Sequence, residues 1–415
     1  SLFSVAFASI FTAALLGWWF KRVSVKYIDG PPSASYWLDH ELVLRSQDEF
    51  GGLETKWRRK YGTIYHIAGC FGQDLLVVSD PKALEHIFHA SHPYPKTSDT
   101  DFIFGLILGG TGGLLVAEKE DHRRQRKILN PAFSPANLRN SQVIFQQCND
   151  KVVNAMRRCT TSEPIDVVDW MSKVSLDIIG AFRYDFGSLD SQETELQKAL
   201  KHLLYVADLA LEPMFVALIR MLPNSVLKIL KLFPTREIRQ LANVGEVGRK
   251  IAREILAAHG AQDGTDKDIV DVLSKSRGLG YPTDYDRLSL RTFIIAGHET
   301  TATTLSWLLY ELAAYPEYQS IIREEVKHSY HDDYDSTEAL RLHPIVHTLT
   351  RVAPHEDVLP LMGSKTLVIP KGQTLFCSVY LYNCLASIWG ADAEEWNPAR
   401  FLDKSIPISL GVYAN

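Results

Sequence analysis

The middle of the chain has the hydrophobic periodicity of a helical protein. Between about Asp121 and Val326, apolar residues recur at the spacing that puts them on one face of an α-helix. This pattern predicts helices over Ser141–Arg157, Leu196–Val206, Arg236–His259 and Leu288–Tyr315.

The flanking regions contain short apolar runs bounded by glycine or proline, which is typical of strands. Two strands are predicted early in the chain, at Ile64–Ile67 and Asp74–Ser79, followed by a helix over Pro81–His89. These two strands suggest a small sheet near the N-terminus. Two more strands are predicted at Leu367–Ile369 and Thr374–Phe376. The fold class is therefore mainly α with a minor β portion, which excludes a doubly wound dinucleotide fold.

The first residues are strongly apolar. No charged residue occurs from Leu2 to Phe20, a run about as long as a helix needs to cross the hydrocarbon core. Lys21 and Arg22 follow directly, so the positive-inside rule puts the rest of the chain on the cytosolic side. A cleaved signal peptide is the competing interpretation, but it requires charge before the apolar run and a small-residue cleavage site after it. The pattern favours a transmembrane signal anchor over residues 1–22.

A proline-rich segment follows the predicted anchor. Asp29-Gly-Pro-Pro-Ser33 cannot continue a helix, so residues 23–33 are predicted to form a hinge. No repeat or low-complexity tract interrupts the remainder. Residues 34–415 are therefore predicted to form one continuous domain.

Composition adds two exclusions. The 415 residues carry a formal charge of -5 with both signs scattered, so there is no basic surface of the kind that nucleic acid requires. The five cysteines are odd in number and include no Cys-x-x-Cys spacing, which favours neither a zinc site nor a disulfide framework. Reduced thiols facing the cytosol fit this usage.

One predicted helix contains polar residues inside an otherwise apolar stretch. Ala296 and Gly297 leave little side-chain bulk just before Glu299 and Thr300, inside an otherwise apolar stretch. A large flat ligand could lie against the backbone there, beside the acid and the hydroxyl. A buried helix whose threonine hydroxyls bond back to carbonyls one turn earlier fits the same residues equally well. A zinc face is excluded, because the His-Glu-x-x-His pattern needs a histidine at position 302, which is alanine.

Charged residues near the end of the chain form a further motif. Glu338 and Arg341 are spaced so that their side chains meet on a helix, and Arg400 follows in the element Pro398-Ala-Arg-Phe401. A carboxylate held by forked guanidinium donors tolerates burial. Taken alone, Glu338 and Arg341 also fit a surface ion pair.

Together and in this order, the Ala-Gly-x-Glu-Thr, Glu-x-x-Arg and Pro-x-Arg-Phe motifs make the chain resemble the membrane-anchored eukaryotic cytochromes P450. The resemblance covers nearly the whole sequence and implies a P450-like fold with a haem b cofactor. It also implies a monooxygenase that inserts one oxygen atom of O2 into a lipophilic organic substrate. Electrons would come from NADPH through a membrane-bound P450 reductase. The single-pass anchor would hold the catalytic domain on the cytosolic side of the endoplasmic reticulum membrane.

The resemblance also gives roles to single residues. Glu299 and Thr300 match the acid–alcohol pair that relays protons during oxygen activation. Ala296 and Gly297 match the small residues that let the haem and oxygen approach the helix, and Thr300 is expected to contact the haem as well. The structural charge triad of the family corresponds to Glu338, Arg341 and Arg400.

The same resemblance implies which cationic residues reach the haem propionates. These are His122 and Arg126 on one predicted helix, and Arg351 on the segment after the Glu-x-x-Arg helix. On the residues alone, the segment around His122 and Arg126 fits a solvated basic helix face, and Arg351 fits an exposed arginine.

The haem iron of the family is held by a cysteine thiolate, in a Phe-x-x-Gly-x-Arg-x-Cys-x-Gly loop. The sequence ends at Asn415 before such a loop, so no metal ligand is assigned and a domain incomplete at its C-terminus is expected. Cys377 and Cys384 precede the Pro-x-Arg-Phe element and are interpreted as small apolar residues. The alternative function is a catalytically inactive, haem-deficient membrane-anchored P450 remnant that at most binds lipophilic molecules.

Overall fold

The structure is a computed structural model that describes residues 23–33, 39–89, 94–108, 113–158, 164–180, 198, 213–232, 236–259, 283–328 and 334–401. The predicted anchor over residues 1–22 lies outside these ranges, as does the predicted helix Leu196–Val206 apart from residue 198. In the ranges that are described, no helix combines the length and the apolar character needed to cross a membrane.

Helices make up most of the described chain, which confirms the mainly α class. Their bounds are α1 Asp39–Arg45, α2 Gly52–Tyr61, α3 Pro81–His89, α4 Ser98–Ile107, α5 Lys119–Leu129, α6 Pro135–Asn140, α7 Gln142–Arg158, α8 Val167–Gly180, α9 Pro213–Met221, α10 Asn224–Leu232, α11 Arg236–His259, α12 Thr283–Ala314, α13 Pro316–His328, α14 Tyr334–Leu342, α15 Val379–Asn383 and α16 Ala386–Trp389. The helices predicted from periodicity match α3, α7, α11 and α12. Only α12 differs noticeably, because it begins at Thr283 instead of Leu288.

Two small sheets provide the minor β portion. Their strands are β1 Ile64–Ala68, β2 Asp74–Val78, β3 Thr348–Val352, β4 Asp357–Pro360, β5 Thr366–Ile369 and β6 Thr374–Ser378. The larger sheet has the order β1-β2-β6-β3, and β4 pairs with β5 in the smaller one. β2 and β6 run parallel, with Leu75 opposite Thr374, whereas the other neighbouring strands are antiparallel.

The expectation of a small sheet near the N-terminus needs correction. β1 and β2 do pair with each other, but β2 also pairs with β6, so strands from both ends of the chain share one sheet. β3 was not predicted, because every residue of Thr348–Val352 is half-buried and the strand has no clear apolar alternation. Its pairing with β6 is a contact between distant segments, which local patterning does not encode.

The described residues divide into two compact units. The first combines Ser1–Phe102, Leu211–Phe233 and Trp307–Asn415, and the second combines Ile103–Ala210 and Pro234–Ser306. Each unit is built from segments that are distant in sequence. The division into residues 1–22, 23–33 and 34–415 stays a prediction.

The core of the first unit lies on both faces of the larger sheet. Side chains alternate between the faces of a strand, and β2 is apolar on both, since Leu76 and Val78 join one buried cluster while Leu75 and Val77 join another. The first cluster also contains Leu84 and Ile87 of α3 together with Leu359, Leu375, Trp389 and Phe401. A continuous apolar run therefore marks a strand that is covered on both sides.

The core of the second unit surrounds the part of α12 that ends at Ser306. Leu290 and Ile294 pack with Leu129 of α5, Leu176 of α8 and Ile251 of α11. About two turns further along, Ala302 joins a second cluster, whose other buried members are Val152, Met171 and Val174. This packing fixes which face of α12 is buried.

Candidate active site

Two opposite faces of α12 have different character. The packed face carries Ile294, His298 and Ala302, each less than 4% exposed. On the opposite face, at helical spacing, are side chains that remain partly exposed, namely Ala296, Glu299, Thr300 and Thr303. The acid and the hydroxyls predicted from the sequence therefore share the face of α12 that the core leaves uncovered.

The surroundings of Glu299 raise the pKa of its carboxyl. Burial raises the pKa of its carboxyl, and a hydrogen bond with Thr303 acts in the opposite direction. A carboxyl with a raised pKa keeps its proton to higher pH than a free carboxyl, which suits a proton donor.

The Thr300 hydroxyl makes a hydrogen bond to a carbonyl one turn earlier, as expected for a threonine in a buried helix. It donates to the Ala296 carbonyl at 2.6 Å, and the Thr304 hydroxyl donates in the same way to the carbonyl of Thr300 at 2.9 Å. The hydroxyl proton of Thr300 is therefore committed to the backbone, while its oxygen still has acceptor capacity.

Gly297 has a packing role in the second unit. A Cβ atom added there would lie 3.2 Å from Cδ1 of Ile179 on α8. The missing side chain lets two helices approach each other. That Ala296 and Gly297 also make room for a flat ligand stays a prediction.

His122 and Arg126 lie one turn apart on α5. The other two arginines of this helix are paired three residues back, Arg123 with Glu120 and Arg124 with Asp121 at 3.1 Å. In the described part of the chain the exposed Arg126 side chain has no such acidic partner. Its charge is available to an anionic group.

The orientation of α5 follows from its apolar end. Leu129 is 2% exposed and belongs to the same buried cluster as Leu290 and Ile294 of α12. The helix that carries His122 and Arg126 is therefore anchored beside the N-terminal half of α12, within one unit.

Arg351 belongs to β3 in the first unit. Its Nη1 donates to the Thr350 carbonyl at 2.8 Å, and its guanidinium lies 5.9 Å from the centre of the Phe88 ring. Among the described residues it has no carboxylate partner. Like Arg126, it is a cation whose charge the described chain does not neutralise.

Glu338, Arg341 and Arg400 meet in one buried network in the first unit. Nε and Nη2 of Arg341 donate to the two carboxylate oxygens of Glu338, both at 2.7 Å, and neither side chain is exposed. Nε of Arg400 donates to Oε1 of Glu338 at 3.2 Å. The network is satisfied further by the carbonyls of Asn383 and Ala393, each 2.6 Å from Nη1 of Arg341.

Two members of this network were not found from the sequence. The Asn397 backbone N–H donates to Glu338 at 2.9 Å, and Asp392 accepts from Nη2 of Arg400 at 2.9 Å. Neither has a spacing signal relative to Glu338, because their contacts depend on how the segment after α16 folds back over α14.

Burial governs the chemistry of the described cysteines. Cys70, Cys148, Cys377 and Cys384 are free and buried, and Cys159 lies outside the described residues. Burial raises the pKa of the Cys377 thiol to about 12, against the opposing charge of Arg351, and the pKa of Cys384 to about 11. Burial therefore disfavours the thiolate, which is the form that binds metal, at both residues. The described ranges also contain no group of three or more His, Cys, Asp or Glu side chains that could hold a metal ion.

These features fit an oxygen-activating haem protein, and comparison with known proteins agrees. A sequence model of the family described as Cytochrome P450 matches residues 30–412. The chain is similar to cytochrome P450 monooxygenase 205 of Postia placenta, with 30% identity over 94% of this chain and 80% of the relative. It is also similar to cytochrome P450 monooxygenase claQ of Ampulloclitocybe clavipes, with 29% identity over 90% of this chain and 76% of the relative. The chain belongs to the cytochrome P450 family.

Family membership gives the reaction class. The protein is a haem-thiolate monooxygenase, an oxidoreductase that uses O2, a lipophilic substrate and electrons from a redox partner. The alternative of an inactive lipophile-binding remnant is not favoured by relatives that are named monooxygenases. Within the second unit, the uncovered face of α12 and the unneutralised charge of Arg126 are compatible with a haem ring and a propionate.

Proposed function

We propose that Glu299 and Thr300 handle the protons of the monooxygenase reaction. Haem supplies the activation of O2 when it is bound. The supporting observation is that Glu299, with a raised pKa, shares the uncovered face of α12 with the Thr300 hydroxyl. A carboxyl whose pKa is raised by burial keeps its proton to higher pH than a free carboxyl, and Thr300 has an acceptor oxygen within one residue of it.

We assign the haem propionates to His122, Arg126 and Arg351. Guanidinium groups bind carboxylates through two parallel hydrogen bonds, and neither arginine has a carboxylate partner in the part of the chain that the structure describes. His122 lies one turn before Arg126 on the same face of α5. The network of Glu338, Arg341 and Arg400 is given a structural role, since it lies in the buried interior of the first unit.

We further propose that residues 1–22 anchor the protein in the endoplasmic reticulum membrane with the catalytic domain in the cytosol. Electrons would then come from NADPH through a membrane-bound reductase. The supporting observation is the uncharged run Leu2–Phe20 followed by Lys21 and Arg22. Removal of residues 1–22 is expected to convert a carbonate-resistant membrane protein into an extractable one. Equal extraction of both forms would exclude the anchor.

The proton-handling proposal is tested by Glu299→Gln in the haem-loaded protein. Product formed per electron consumed is expected to fall by about a hundredfold or more, with the electrons appearing as hydrogen peroxide, because a positioned proton donor typically contributes about 10²–10⁴-fold. Thr300→Ala is expected to act in the same direction, and Thr300→Ser to retain coupling.

The matched control for these substitutions is Thr301→Ala. Thr301 is the next residue of α12, but it is exposed and not on the face of Glu299. Its substitution is expected to leave coupling unchanged. If Glu299→Gln releases no more peroxide than Thr301→Ala, Glu299 is not the proton donor.

A further inference from the structure

The surface of the first unit contains an open cavity of about 520 Å³. Its walls come from the residues before and within α2, from α15 and from the segment after α16. A cleft of this size can hold a small organic ligand. None of the residues assigned to proton handling or to the haem propionates lines it, so the cavity is separate from both of those groups.

One wall of the cavity is aromatic. Phe50 and Tyr380 both line it, and their rings meet edge to face with centres 5.2 Å apart. The Phe50 ring also contacts the imidazole of His347, with centres 4.6 Å apart. Phe50 is nevertheless 50% exposed. A ring that two neighbours hold in place and that stays half open offers an ordered apolar surface to a flat ligand.

The Tyr380 ring is fixed from below by the backbone of Gly51. Gly51 has φ +82°, and a Cβ atom added there would lie 2.3 Å from the ring, so the ring rests directly on the chain before α2. The backbone N–H of Tyr380 donates to the His347 carbonyl at 3.2 Å. The aromatic wall is therefore formed before any ligand arrives, which lowers the entropic cost of binding.

A second wall is cationic. Lys56, Arg59 and Lys60 line the cavity and share one face of α2, because they are three and four residues apart. Arg59 already pairs with Glu394, which also accepts from Arg58 at 2.9 Å. Among the described residues, Lys56 and Lys60 make no ion pair.

The charge of the lining favours an anion. Besides Glu394, the lining contains one further acid, the exposed Glu49. Three cations and two acids leave the lining with a net positive charge, whereas the whole chain carries -5. Since Lys56 and Lys60 are one helical turn apart, a single anionic group can accept hydrogen bonds from both ammonium groups.

Two walls of the cavity are attached to the buried charge network. Glu394 lies between Ala393 and Glu395, whose carbonyls accept from Arg341 at 2.6 and 3.2 Å. The carbonyl of Asn383, at the end of α15, accepts from Arg341 at 2.6 Å. Segments that are distant in sequence therefore meet at the cavity only in the folded protein. A ligand that binds between them stabilises the folded state.

We propose that this cavity binds a small aromatic anion, whose ring lies against Phe50 and Tyr380 and whose carboxylate or sulfonate is held by Lys56 and Lys60. A wholly apolar ligand is a poor occupant, because it would cover the two ammonium groups without giving them a partner. An inorganic anion is also a poor occupant, because it leaves the aromatic wall unused.

The direct test maps lysine reactivity in the unmodified, haem-loaded protein. The probe is 2-naphthoate, with 2-naphthamide as its neutral analogue and sulfate as an anion without a ring. Acetylation by dilute acetic anhydride is followed residue by residue by mass spectrometry. At about ten times its dissociation constant, 2-naphthoate is expected to slow acetylation of Lys56 and Lys60 by about tenfold. Lys82, an exposed lysine of α3 outside the cavity, is expected to react at an unchanged rate.

Each other result of this mapping overturns the proposal. Equal protection of Lys82 would mean non-specific binding. Equal protection by sulfate would remove the aromatic part of the ligand class, and equal protection by 2-naphthamide would remove the anionic part. A shift of the Soret band by 2-naphthoate without protection of Lys56 and Lys60 would place the probe beside the haem instead.

Two variants separate the roles of the walls. Replacing both lysines, Lys56→Gln with Lys60→Gln, is expected to weaken binding of 2-naphthoate in calorimetric titrations by about tenfold or more and to leave 2-naphthamide unaffected. Phe50→Ala is expected to weaken binding of both compounds, and Lys82→Gln is the matched control. Urea unfolding without the probe shows whether each variant is folded. Unchanged affinity for 2-naphthoate in folded forms of both variants would overturn the proposal.

Discussion

Glu338→Gln perturbs the buried charge network while preserving side-chain shape. Glu338 and Arg341 are both fully buried, and both terminal donors of Arg341 that face the carboxylate lie 2.7 Å from it. After the substitution, Arg341 keeps its carbonyl acceptors on Asn383 and Ala393, but its positive charge has no buried counter-charge. Arg400 also loses an ionic partner, although it keeps Asp392.

The expected loss of unfolding free energy follows from the burial of both side chains. Removing one partner of a fully buried ion pair destabilises a protein by about 3–5 kcal/mol, because the remaining charge stays desolvated. Glu394 is the matched control in the same unit, since it pairs with Arg58 and Arg59 but is 37% exposed. Its substitution by glutamine is expected to cost less than about 1 kcal/mol. For a chain of this length the corresponding falls in Tm are roughly 3–6 °C and about 1 °C.

The assay is urea unfolding followed by tryptophan fluorescence, with the wild-type protein and both variants in the same haem-loading state. The free energy of unfolding in water and the slope with urea are compared, so that a change in the unfolded state is recognised. A loss in Glu338→Gln no larger than that in Glu394→Gln would show that the buried network does not stabilise the fold as reasoned here.

Two further predictions concern haem retention and pH. Arg126→Gln is expected to speed the loss of haem to an acceptor such as apomyoglobin by about tenfold. Arg124→Gln is the control and is expected to have little effect, because Arg124 already pairs with an acid. Equal rates of haem loss in the two variants would remove Arg126 from the propionate site. Burial acts to raise the pKa of Asp357, but hydrogen bonds from Tyr94 and His86 outweigh it and lower the pKa from 3.8 to about 2. This depressed pKa contributes stability that is complete above about pH 4 and is lost as the pH falls to about 2. In Tyr94→Phe, unfolding free energies measured across that window are expected to fall less steeply, and an unchanged slope would contradict this account.

Local patterning was a good guide wherever the deciding contacts are local. The helices over Pro81–His89 and Arg236–His259 were predicted at their observed bounds, because apolar residues recur at the helical spacing throughout each of them. The pairing of Glu338 with Arg341 is of the same kind, since residues three apart on a helix meet whatever surrounds them.

Local patterning was weaker where distant segments meet. β3 was missed because its residues are uniformly half-buried, and the pairing of β2 with β6 joins opposite ends of the chain. Gly297 shows the same limit. The sequence contains a small residue there, but only the packing of α8 against α12 shows that Ile179 lies close to it.

The sequence by itself determined the fold class, the family, and the presence of an acid and an alcohol at positions 299 and 300. These depend on residue spacing within single segments, where chain connectivity already sets the geometry. Only the tertiary structure decided which face of α12 is buried, that Arg400 reaches Glu338, and that His298 lies beside Glu299 with Ser172 behind it. Those contacts depend on how separately formed elements pack, and the free energy that selects one packing comes from burial of side chains that are far apart along the chain.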